Sequence, residues 1–237
     1  MEDIREVRRK IEDFIDSNQL QDFLHSVSFN CIDDYDPEDH ENVNEFVMDI
    51  PSVIDWHTYG STKFVFTIPE VEDWVFKIPF KGCKYYHWVN GPDIYIPSRR
   101  YKEEYYVYNY CEREYELYLK AFDLGLEEFF AATFYLTTIA GVDIYCSQDV
   151  YKLDTIPNAE VGINRKMFDV SSAMLDERKE GFTSAKPIAH LLEHCPQSTV
   201  TLLLDFLEKY HINDLYRDNY FYTKDSIVIV DYSGYSE

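Results

Sequence analysis

Positive charge is scarce in this sequence: 22 lysines and arginines stand against 44 aspartates and glutamates, a formal net charge of −22 at pH 7. A body this acidic repels the phosphate backbones of DNA and RNA, which argues against nucleic-acid binding through counterion release. It leaves room for divalent cations, for a basic partner, or for a role as an acidic decoy that imitates nucleic acid. Cysteines are few and scattered: Cys31, Cys83, Cys111, Cys146 and Cys195 are odd in number and none falls in a C-x-x-C spacing. That pattern argues against a disulfide framework or a zinc ribbon and suits a reducing cytoplasm. No stretch reaches the roughly 18 apolar residues of a membrane span. The first residues, MEDIREVRRKIEDF, are charged and hold no apolar signal core. The expectation is a soluble cytoplasmic monomer with neither a membrane nor a nucleic-acid partner.

What is present describes a folded globule. Hydrophobic residues make up 46% and aromatic residues 17% of 237 positions, enough to build a core for one domain or two small lobes. Ile4, Val7, Ile11, Phe14 and Ile15 recur at helical spacing and predict one amphipathic helix over residues 2 to about 26. The acidic run CIDDYDPEDHENVNEF follows, and it reads as a solvated loop. From residue 57 the texture becomes strand-like, with a Gly-Ser-Thr turn, then KFVFTI, a Pro/Glu/Asp turn, and WVFKIPF. Period-two alternation puts Trp74, Phe76 and Ile78 on one face of that last strand, and Val75 and Lys77 on the other. A lysine inside an apolar strand is unusual unless something anionic receives it.

Residues 81 to 107 are rich in tyrosine and look like an insertion. NYCEREYELYLKAFD predicts a helix, two strands follow with a hairpin at Gly141, and residues 151 to 186 show only weak periodicity. AKPIAHLLEHC and PQSTVTLLLDFLEKYHI predict two further helices, the second apolar at Val200, Leu203, Leu204 and Leu207. A terminal hairpin closes the order, which defines an α+β arrangement in two lobes.

Certain residue types recur in one chain order: Gly60-Ser61-Thr62 in a turn, Lys77 in the strand VFKI, Glu114 in a helix, Asp214 and Asn219 in DLYRDN, and Asp231 after the apolar run IVIV. Phosphoryl transfer from ATP needs the triphosphate held, its charge offset by Mg²⁺, and a base near the acceptor. The chain therefore resembles the protein-kinase-like superfamily, small-molecule kinases included, over about residues 57 to 234. VFKI is similar to that family's V-A-I-K strand, DLYRDN to its catalytic loop, and DYSG to D-F-G. The resemblance implies a strand-rich lobe at 51–150, a reduced helical lobe at 151–237, and an N-terminal helix with acidic loop at 1–50. It further implies that Lys77, braced by Glu114, holds the α- and β-phosphates of ATP. Gly60, Ser61 and Thr62 would cradle phosphate, Asp214 would act as base, and Asn219 and Asp231 would carry Mg²⁺.

Each piece has a plainer reading. The Gly-Ser-Thr turn serves any hairpin, a strand lysine can snorkel at an edge, DLYRDN can be a polar turn, and Asp231 can cap a strand. Glu112, Glu114 and Glu116 all suit an exposed helix face; Leu117 and Tyr118 at core spacing single out Glu114, with Glu116 in reserve. The chain also departs from the family. H-R-D has become H-I-N-D, DYSG carries one residue more than D-F-G, and only three residues follow Gly234. These departures point to a non-peptide acceptor, or to a pseudokinase used as an acidic binding or inhibitor module. A second motif competes: HLLEH fits the inverted zinc-protease pattern, with His190 and His194 as ligands, Glu193 as base and Glu208 or Asp214 as third ligand. Its alternative is a short amphipathic helix with two surface histidines.

Overall fold

The computed structural model describes residues 3–29, 50–59, 63–80, 109–156, 185–212, 215 and 219–233. The acidic run at 32–45, the insertion at 81–107, Gly60, Ser61, Thr62 and Asp214 lie outside the described residues. The rest is a mixed α+β structure with antiparallel strand pairs, and it divides into two compact units. One unit comprises Met1–Cys111 and Tyr135–Cys146; the other comprises Glu112–Phe134 and Ser147–Glu237.

Helix α1 (Ile4–Ser17) starts where Asp3 caps it, the carboxylate accepting from Arg5 N–H at 2.9 Å. Val7, Ile11, Phe14 and Ile15 form its buried stripe. Exposed pairs on the other side join Arg8 to Glu12 and Arg9 to both Glu6 and Asp13. The single helix expected to about residue 26 is in fact two. Gln19 turns left-handed with φ 54°, its N–H donates to the Asp16 carbonyl, and Leu20 N–H donates to Ile15. This is a Schellman stop, reinforced by the Asn18 side-chain amide on the Phe14 carbonyl. Helix α2 (Gln21–Phe29) then begins afresh.

Strands β1 (His57–Tyr59), β2 (Lys63–Ile68) and β3 (Val71–Pro79) pair antiparallel. Strands β4 (Thr133–Ile139) and β5 (Val142–Gln148) complete a five-stranded sheet of order β1-β2-β3-β5-β4. Ala140 and Gly141, both at positive φ, make the tight turn between β4 and β5. Register places Phe64 opposite Ile78 and Phe66 opposite Phe76, so these four share one face. Phe66 stacks on Phe64 and meets Phe76, and Phe23 of α2 packs edge-on to Phe64 at 5.9 Å. Lys10 of α1 donates to the Glu70 carbonyl in the β2–β3 turn, tying helix to sheet.

Helix α3 (Tyr110–Asp123) leads into the second unit. There Leu117, Ala121, Leu126, Phe129 and Phe130 join Leu191, Val200, Leu203, Phe206 and Leu207 in one core. Those partners come from helices α4 (Ala185–His194) and α5 (Gln197–Lys209). The sheet of this unit has the order β6-β7-β8, from β6 (Thr155–Ile156), β7 (Tyr220–Thr223) and β8 (Ile227–Ile229). No helix among the described residues is long and apolar enough to cross a membrane.

Phe76 is fully buried among aromatic rings, so Phe76→Ala is expected to cost about 3–5 kcal/mol in urea unfolding. Leu202→Ala, on an exposed position of α5, should stay within about 0.5 kcal/mol. Equal losses for the two would contradict this packing.

Candidate functional site

The β7–β8 hairpin positions the first pair of site residues. Tyr220 pairs with Ile229, and one step outward Val230 N–H donates to the Asn219 carbonyl at 2.8 Å. Asn219 and Asp231 therefore emerge at the same end of the hairpin. Asp231 is held at φ 50°, the left-handed region that an L residue enters at a cost of about 1–2 kcal/mol. Such strain persists where the surroundings over-determine it, and it clusters at ligand sites.

Those surroundings are specific. The Phe130 and Ile229 backbones form a parallel bridge, with Ala131 N–H donating to the Ile229 carbonyl at 2.8 Å. Directly after Asp231, Tyr232 is buried against Phe130, ring centroids 5.0 Å apart. Its hydroxyl donates to the Ala131 carbonyl at 2.9 Å and lies 2.9 Å from Thr133 Oγ1, which in turn lies 3.1 Å from Ser147 Oγ. This buried polar network is satisfied among its own members and holds the backbone that carries Asp231. Burial, the Glu114 carboxylate and Asp231 all push the Tyr232 hydroxyl well above the ordinary tyrosine range, while its hydrogen bond with Thr133 opposes them. The phenol is neutral at physiological pH.

Glu114 belongs to this same unit and is fully buried, whereas Glu112 and Glu116 on the same helix are exposed. Its carboxylate is among the charges that raise the Tyr232 hydroxyl, while Asp231 and Asn219 leave the hairpin together in the same unit. An amide oxygen and a carboxylate at adjoining backbone positions are ligands of the hard type that Mg²⁺ takes. Among the described residues no group of three or more His, Cys, Asp or Glu is arranged to hold a metal ion.

Lys77 lies in the first unit, on β3, 4% exposed and opposite Val65. Lys63, the first residue of β2, is 5% exposed and sits on the same face. Sequence reasoning passed over Lys63. The signal was the alternation in KFVFTI, but only the strand register sets it beside Lys77.

Helix α5 ends in a second Schellman stop, in which His211 takes the left-handed position at φ 53° and Ile212 N–H donates to Leu207. Ile212 and Leu215 are both buried in the core.

HLLEH lies on α4, and the expectation of two surface histidines is corrected for one of them. His190 is buried, and its Nε2 lies 3.0 Å from the Thr223 carbonyl and 3.2 Å from that of Ser226. A ring nitrogen facing two carbonyl oxygens carries the proton and donates, so it cannot ligate zinc. His190 instead clamps the β7–β8 turn. His194 is exposed, with Nδ1 3.8 Å from Asp225.

Comparison with known proteins finds no matching family model, no matching curated protein and no matching solved structure.

Tyr232→Phe removes the hydroxyl while Thr133 and Ser147 keep each other. The expected cost is about 1–2 kcal/mol in chemical unfolding. No loss would show that the network does not hold the hairpin.

Proposed function

We propose that this chain is a kinase-like phosphotransferase of the two-lobed protein-kinase type, using Mg²⁺-bound ATP and a non-peptide acceptor. The observation that carries the reading is that Asn219 and Asp231 leave one end of a hairpin sealed by the buried Tyr232, with Glu114 buried in the same unit. Chain order alone makes them candidates; Asp231 and Asn219 side by side at the end of a hairpin offer the two oxygen ligands such a pair would supply. Buried Lys77, on the face of the β2–β3 pair opposite the aromatic one, supports the same reading because it stands where the family's strand lysine would.

In this reading Lys77 holds the α- and β-phosphates, and Glu114 supplies the helical carboxylate of the constellation. Asn219 and Asp231 would hold Mg²⁺, which would offset charge on the triphosphate. Asp214 accepts the proton of the acceptor hydroxyl as that oxygen attacks the γ-phosphorus and ADP leaves. Gly60, Ser61 and Thr62 offer backbone N–H groups and hydroxyls to phosphate oxygens. A net charge of −22 disfavours free ATP and makes neutralising metal the condition for binding.

The same charge favours a second reading, a pseudokinase that serves as an acidic binding or inhibitor module. A thermal-shift titration separates the cases. The parent protein is expected to gain several degrees with ATP and Mg²⁺, and Lys77→Ala and Asp231→Ala should each lose most of that gain. No shift for the parent sinks nucleotide binding. A shift with no ATP consumed across candidate hydroxyl acceptors favours the pseudokinase.

A further inference from the structure

The five-stranded sheet ends in two unlike edges: β1 has only three residues, and β4 runs for seven. A free edge presents a row of backbone N–H and C=O groups that another strand can pair with, and folded chains blunt it by shortness, charge or proline. Shortness blunts β1. Nothing of that kind blunts β4, whose sequence TFYLTTI holds no charged residue and no proline. Among the described residues no strand pairs with its outer side. Tyr135 is 43% exposed, and Thr138 is exposed as well.

Helix α1, which with β4 from Tyr135 onward belongs to the first unit, supplies the second observation. Residues two apart on a helix are separated by about 200°, so Lys10 and Glu12 occupy opposite flanks. Lys10 reaches the β2–β3 turn at the Glu70 carbonyl. Glu12 lies on the β4 side, its carboxylate held below the ordinary range by Arg8 and by a hydrogen bond with Thr137. Arg5, Arg8, Glu12 and Asp16 stand three or four positions apart and form one row along this flank. The row reads two positive charges, then two negative.

An antiparallel strand pair has a two-fold axis normal to its sheet, and that axis sets a helix lying on the sheet antiparallel to its copy. The row on α1 then meets itself reversed, Arg5 toward Asp16 and Arg8 toward Glu12 of the other copy. Only an identical chain matches the pattern by symmetry. We propose that the outer edge of β4 pairs antiparallel with β4 of a second copy of this chain, joining the two sheets across a two-fold axis flanked by the α1 helices. This dimer stands in place of the monomer expected from composition. It uses none of the residues assigned to phosphate or metal, so it stands or falls apart from the phosphotransferase reading. A net charge of −22 on each copy opposes association at low salt, and screening removes that long-range repulsion.

Sedimentation equilibrium of the full chain, at about 150 mM salt and micromolar concentration, should give twice the chain mass. Hydrogen exchange at the β4 amides should slow as concentration rises and the dimer fills. Thr138→Lys sets like charges across the axis from an exposed position and should weaken association several-fold. Arg8→Glu and Glu12→Arg should each weaken it, and the two together should restore it, because the exchange rebuilds a row complementary to its own reverse. Cooperative melting of each variant checks the fold.

A parent that stays monomeric overturns the proposal; if a peptide of residues 133–139 then slows exchange in β4, the occupant is an extended strand from another protein. A parent dimer with unchanged exchange in β4, or one that Thr138→Lys leaves intact, overturns it too, since another surface then holds the copies. If the double charge exchange fails to restore what the single changes lose, the two-fold arrangement is overturned.

Discussion

The second unit depends on a short piece of backbone pairing, Ala131 N–H on the Ile229 carbonyl, and on the tyrosine that seals it. A β-hairpin of four- and three-residue strands is marginal by itself. Here β8 gains a parallel neighbour at Phe130, and the Tyr232 hydroxyl returns to the Ala131 carbonyl beside that bridge. Phe130 is held by Phe206 of α5 on one side and Tyr232 on the other, so helix core and hairpin share one anchor. His190 fixes the far end of the hairpin through the carbonyls of its turn. With both ends held, the chain at Asp231 has little freedom to leave its left-handed conformation.

The first unit solves a different problem. Its strands must be apolar enough to bury, yet β2 and β3 carry two lysines inward. Strand alternation makes this compatible: every second residue builds the aromatic face against α2, which leaves the opposite face to other chemistry. Helices α1 and α2 are kept distinct by the left-handed Gln19, which lets each present its own apolar stripe.

Much of the architecture was legible in the residues. KFVFTI is β2 to the residue, the turn at Gly141 is present, and Leu117 and Tyr118 distinguish the inward Glu114 from its exposed neighbours. The misses have physical causes. Hydrophobic periodicity runs on past Ser17, because it registers side-chain pattern and not the backbone reversal at Gln19. Strand β6 has only two residues and owes its extended form to pairing with Tyr222 and Thr223. Phe206, in the middle of α5, is more buried than Leu204, since the neighbours of a helix decide which edge of its stripe faces inward. His190 is buried for a similar reason: its Nε2 meets two carbonyls far along the chain.

The sequence by itself determined the acidity, the alternation of strands, the helical stripes and the chain order of lysine, glutamate, asparagine and aspartate. These are properties of composition and local period, which a residue carries wherever it is placed. Only the tertiary structure decided that Lys63 shares a face with Lys77, that Asn219 and Asp231 leave the hairpin together, and that Tyr232 turns its hydroxyl inward to the Ala131 carbonyl. Register, left-handed backbone and buried hydrogen bonding arise from partners far apart in the chain, and no local pattern encodes which partners will meet.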